Sequence, residues 1–94
     1  MEGAEYVAGF ISEPVGGAAC GAIVPHQNYS KIIRQICDQY DILMIDDEVM
    51  AGFGRTGSMF AIDDFGVVPD LICAAKGMSA GYSPLGAVIA SQKI

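Results

Sequence analysis

Basic residues are scarce in this sequence: five lysines and arginines stand against eleven acids, for a net charge of −6. Lys31, Arg34, Arg55, Lys76 and Lys93 are scattered, so no basic stripe can hold a phosphate backbone, and nucleic-acid binding is excluded. Long apolar runs are also missing. None approaches the roughly 20 residues of a membrane-spanning helix, which sets aside a membrane partner. Cysteine is limited to Cys20, Cys37 and Cys73, odd in number, far apart and without metal-ligand spacing. Cys37 and Cys73 fall in apolar patterns and read as buried free thiols in a reducing compartment. The opening Met1-Glu2-Gly3-Ala4-Glu5 lacks the cationic and apolar regions of a signal peptide, so a soluble cytoplasmic protein is the expectation. The one histidine, His26, follows Pro25 at a helix approach and reads as a loop residue rather than a ligand.

What is present is enough apolar sequence for a core: 52% of residues, against a charged fraction of 17%. Tyr6–Ser12 reads as a buried strand stopped by Glu13-Pro14, because proline cannot donate to a sheet ladder. Val15–Pro25, rich in glycine and alanine, reads as a loop. From Asn28 the period changes. Tyr29, Ile32, Ile33, Ile36, Cys37 and Tyr40 form the stripe of an amphipathic helix, with Lys31, Arg34, Gln35 and Asp38 on the other face and Asn28 or Ser30 as N-cap. A strand at Ile42–Ile45 follows, and strand, helix, strand in this order predicts a right-handed βαβ unit with a parallel pair. Leu71–Ala75 is a third strand. The return to a last strand, Gly86–Ser91, is short for a crossover helix, so that strand is expected to run antiparallel. The fold class is α/β with a mostly parallel sheet. Only one helix is evident where a parallel sheet needs cover on both faces, so residues 1–94 are expected to be an excerpt of a larger α/β domain.

Two strand ends carry the chemistry. Ile42-Leu43-Met44-Ile45 runs into Asp46-Asp47-Glu48-Val49, and 29 positions after Asp47 the strand Leu71-Ile72-Cys73-Ala74-Ala75 runs into Lys76-Gly77. Parallel strands open their carboxyl ends into one crevice, where open α/β sheets bind ligands. A carboxylate and an amine delivered there suit a cofactor with a cationic ring nitrogen and an aldehyde, which is the chemistry of pyridoxal phosphate (PLP). Strand alternation sends Asp46 and Glu48 to one face and Asp47 to the other. Gly77 beside the lysine leaves room for a close approach. Read alone, the lysine also fits a surface strand end, and the acids a solvated loop.

Gly52-Phe53-Gly54-Arg55-Thr56-Gly57 has the spacing of a dinucleotide fingerprint, yet the residues after it leave little room for the helix that fingerprint requires. Leu43–Glu48 also has the form of a Walker B strand whose acids hold magnesium. That alternative, a non-catalytic nucleotide-binding module, needs a G-x-x-x-x-G-K-[ST] partner that this sequence does not contain. Glu13 and Arg55 are expected to pair if the glycine-rich turn folds back. Tyr82, before Ser83-Pro84, is expected to pack rather than catalyse.

Taken together, Glu13-Pro14-Val15, Asp47-Glu48-Val49, Gly52–Gly57, Pro69-Asp70-Leu71, Ala75-Lys76-Gly77 and Pro84–Val88 resemble the class III aminotransferases, PLP enzymes of fold type I. The resemblance covers essentially the whole chain and is strongest to the ω-aminotransferase branch. It implies a partial fold type I large domain and a homodimeric parent. It also implies ping-pong transfer of an amino group from an amine or ω-amino acid to a keto acid such as pyruvate. By the same resemblance Lys76 looks like the Schiff-base lysine that moves the proton between Cα and C4′. Asp47 looks like the acid paired with the pyridine nitrogen, and Val49 like the residue packed on one ring face. Met50 falls where glutamine often sits near the phenolic oxygen, and a thioether cannot offer that amide. Ala18 stands where γ-aminobutyrate- and ornithine-type members carry a second glutamate, which argues against those specificities. The family's phosphate-binding segment and stacking aromatic would lie before Met1. A partner-subunit threonine and a C-terminal domain would lie after Ile94. The chain alone is therefore expected to bind PLP weakly or not at all, and to be inactive.

Overall fold

Burial alternates strictly from Ile42 to Glu48, and this alternation organises the whole molecule. The computed structural model describes residues 3–94. Four strands form one sheet in sequential order: β1 (Gly9–Ser12), β2 (Leu43–Asp47), β3 (Leu71–Ala74) and β4 (Ala87–Ala90). β1 and β3 both run parallel to β2, and β4 runs antiparallel to β3, as the connection lengths predict. The strands are shorter than expected at their outer ends. Tyr6 lies in a 3-10 turn, Ala4–Tyr6, before the first strand begins. β2 is longer at its end and takes in Asp46 and Asp47.

One helix, α1 (Tyr29–Tyr40), crosses between β1 and β2. Asn28 is its N-cap residue, but its side chain makes no capping bond. The helix ends where Asp41 turns into the left-handed region and donates its N–H to the Cys37 carbonyl. The line of contact differs from the predicted stripe. Ser30 and Cys37 are buried and Ile33 and Arg34 half-buried, whereas Tyr29, Ile32, Ile36 and Tyr40 remain exposed. At 3.6 residues per turn this is a rotation of roughly a quarter-turn from the apolar stripe. On the buried side Arg34, assigned by pattern to the solvent face, reaches Asp70 immediately before β3 with its guanidinium.

The core gathers Cys37, Ile42, Met44, Ile62 and Val67, with Phe10, Ile33, Phe60 and Phe65 packed around them. Burial pushes the Cys37 thiol up, as suits an inert core cysteine. Cys73, expected inside, is only half-buried, and Cys20 is exposed. The register explains Cys73. Ile11, Ile45 and Leu71 align across the strands, as do Asp47, Cys73 and Val88, so all belong to the face opposite α1. That face is open: Ile11 is 57% exposed and Val88 65%.

Candidate functional site

Asp47 ends β2 on the open face, and its register partner on β3 is Cys73, three residues before Lys76. The Asp47 carboxylate accepts the Val49 N–H at 3.0 Å, an Asx turn that fixes the chain where it leaves the strand. Val49 is half-buried at this turn.

Lys76 leaves β3 through Ala75 and starts a 3-10 turn, Lys76–Ser79, with φ at +42°. A lysine in the left-handed region is uncommon, and such strain persists only where the surroundings hold it. They do so here. A Cβ on Gly77 would meet Phe53 Cβ at 3.1 Å and the Gly52 carbonyl at 3.3 Å, so the glycine-rich turn presses directly on this segment. The close approach expected at Gly77 is therefore that of backbone. Lys76 Nζ makes no ion pair among the described residues and points to Met50 Sδ at 2.6 Å. The structure thus brings the turn after β2 and the lysine after β3 to one place.

Beside Met50 lies an apolar cavity of about 320 Å³ between the 15–22 loop and the glycine-rich turn, lined by Gly17, Ala18, Ala51 and Thr56 among others. Arg55 also borders it, but Glu13 and Arg55 form no ion pair among the described residues. Both are exposed, and the loop position is set instead by the Gly16 N–H bond to the Ile23 carbonyl. His26 is exposed and accepts the Asn28 N–H, a loop role as expected. Tyr82 is 94% exposed and packs on nothing of substance.

The other side of β2 holds two acids that pattern reading placed together without seeing their depth. Asp46 is 1% exposed and Glu48 is fully buried. Burial, and then the neighbouring Glu48, push the Asp46 carboxyl up to about 8. The three acids therefore diverge: two point into the core and Asp47 to the open face. A magnesium site built from the Walker-like strand end needs them to converge, and finds no support.

Sequence reasoning also missed the clamp behind the site. Asp70 Oδ2 accepts Arg34 Nη1 at 2.7 Å and the Met44 N–H at 2.8 Å. Burial alone would raise this carboxyl; the Met44 N–H and the Arg34 guanidinium outweigh it and hold it below the ordinary range. The proline preceding Asp70 and the mid-helix arginine were the available signals.

A family model for class-III aminotransferases matches residues 1–94. The chain is 51% identical over 94 residues to the omega-amino acid–pyruvate aminotransferase of Pseudomonas putida, covering 100% of this chain and 21% of that protein. It is 53% identical over 93 residues to the vanillin aminotransferase of Capsicum chinense, covering 99% and 20%. Among solved structures it superposes on an amine transaminase from an uncultivated Pseudomonas species, in its PLP-bound form. That match has a TM-score of 0.93 and 50% identity, over 98% of this chain and 20% of that one. The chain thus spans about a fifth of the length of the relatives it matches.

Proposed function

This chain belongs to the class-III aminotransferases, and from that premise we propose that it carries the lysine and the ring-nitrogen carboxylate of a PLP-dependent transaminase. The reaction is transfer of an amino group from an amine or ω-amino acid to a keto acid such as pyruvate. One observation supports the reading: β2 and β3 are parallel neighbours in which Asp47 pairs with Cys73, three residues before Lys76, so both residues belong to the same end of the sheet, and the amine is engaged by no carboxylate among the described residues. Those two groups fit a ring that needs an anion at its nitrogen and an amine at its aldehyde.

PLP, when bound, supplies an aldehyde for the amino group and a protonated ring that withdraws electrons from the substrate's Cα–H bond. The residues of this chain do the rest. Asp47 would accept the ring N–H and keep it protonated, since a nearby opposite charge favours the charged form. Lys76 Nζ would serve as the amine that carries the aldehyde and moves the proton at the donor's α-carbon. Val49 would pack on the ring. We infer a homodimer for the full-length enzyme on the strength of the resemblance alone.

The test is chemical labelling. Incubation of the full-length polypeptide with PLP, borohydride reduction and digestion should leave a pyridoxyl mass on the peptide containing Lys76, and Lys76→Ala should carry none. Label on another lysine, or none at all, overturns the assignment.

A further inference from the structure

The two buried acids behind the site are not used by the reaction, and their surroundings are unusual. Asp46 and Glu48 lie on the α1 face of β2, 1% and 0% exposed. Glu48 Oε1 accepts the Ile62 N–H at 2.9 Å. The other oxygens, Asp46 Oδ2 and Glu48 Oε2, are buried with no N–H or hydroxyl partner. The two side chains leave the same buried face of β2, two residues apart. Two adjacent carboxylates sealed from water cannot both stay ionised without a cation, and among the described residues none is placed to serve. The 61–65 turn contributes Asp63 and the strand itself Asp47, both acids. From α1, Arg34 is occupied by Asp70 and Asp38, and Cys37 is a buried thiol. The register partners of Asp46, Ser12 on β1 and Ile72 on β3, bring no charge. One proton held by the pair would leave a single negative charge in this buried place and give an orphaned oxygen a donor.

Glu48 is also a junction. Its N–H binds the Cys73 carbonyl at 2.9 Å, tying β2 to the strand that ends in Lys76. Its carbonyl accepts the Gly52 N–H at 2.9 Å, and its side chain holds the 61–65 turn. We propose that Asp46 and Glu48 share one proton and act as a single positioning unit. While the proton is held, the strand ends bearing Asp47 and Lys76 are pinned, and its loss in alkali releases them. The shared proton follows from the burial alone; its effect on catalysis rests on the transaminase reading above.

The test uses Asp46→Asn, whose amide donates permanently to Glu48 and so mimics the protonated acid. In the wild-type full-length polypeptide with ¹³C-labelled aspartate carboxyls, one resonance should titrate near pH 8, and the infrared band of a protonated carboxyl should fade with it. Both should be missing in Asp46→Asn. Because the folded state holds one proton more than the unfolded state between about pH 4 and 8, the wild-type folding constant should fall tenfold per pH unit relative to Asp46→Asn, then level off. With PLP bound, wild-type kcat should fall above pH 8 while that of Asp46→Asn persists, with KM unchanged. If no aspartate in the wild-type protein titrates above pH 6, the shared proton is wrong. If the proton is seen but the two pH–rate profiles coincide, the positioning role is wrong. A confirmed proton in a protein with no transaminase activity at any pH overturns the positioning role together with the transaminase reading, and leaves the shared proton standing.

Discussion

Replacing Asp70 by alanine should be among the costliest single changes in this chain. Its carboxylate is the partner of a half-buried guanidinium and of a buried strand N–H at once, with side-chain exposures of 16% for Arg34 and 9% for Asp70. Alanine leaves the Met44 N–H without an acceptor, worth about 1–3 kcal/mol, and strands Arg34 with only the exposed Asp38. Breaking a buried pair by removing one partner costs about 3–5 kcal/mol, which sets the expected total. Asparagine separates the two contributions. Its amide oxygen can still accept from Met44 while the charge is gone, so about half the loss should remain. The sequence has no tryptophan, so urea unfolding is best followed by far-UV circular dichroism. The sign with pH is fixed as well. Asp70 is held below its unfolded value, so the stability it confers is complete above pH ~4 and disappears as pH falls through the folded value. The gap between wild type and Asp70→Asn should therefore close on acidification. An alanine variant within 1 kcal/mol of wild type, or an asparagine variant as unstable as alanine, would show that the clamp does not work this way.

Two further changes probe the site. A Cβ at Gly52 would stand 2.8 Å from the Glu48 carbonyl oxygen, a backbone atom that cannot swing aside. Gly52→Ala should therefore cost about 1–3 kcal/mol in the same urea assay, and a neutral result would mean that the Glu48 junction is looser than described. Asp47→Ala should abolish the amino-transfer half-reaction, followed by cofactor absorbance, while borohydride still fixes the cofactor on Lys76; an unchanged rate removes Asp47 from its role.

The parallel order of the sheet, the reversal of β4 and the divergence of Asp46 and Glu48 from Asp47 were all legible in the sequence. Each depends on local periodicity or on connection length, which a chain displays openly. The helix orientation was not. A stripe of apolar residues says that a helix has a buried side, but it does not show that Ser30 and Cys37 carry that side or that Arg34 pairs there with Asp70. The Glu13–Arg55 pairing failed for a related reason: both ends lie on exposed loops, where an ion pair contributes too little to fix geometry. The depth of Asp46 was also hidden, because a run of acids at a strand end looks solvated until the 61–65 turn closes over it. The meeting of Lys76 and Met50 depends on the turn geometry at residue 76, which the identity of that residue argues against.

That last conflict has an energetic side. A left-handed backbone costs a side chain about 1–2 kcal/mol and costs glycine nothing. Glycine occupies position 77, where a Cβ would press on Phe53 and the Gly52 carbonyl, while position 76 holds a long side chain in the unfavourable conformation. The fold therefore carries a local cost at position 76 that glycine there would remove.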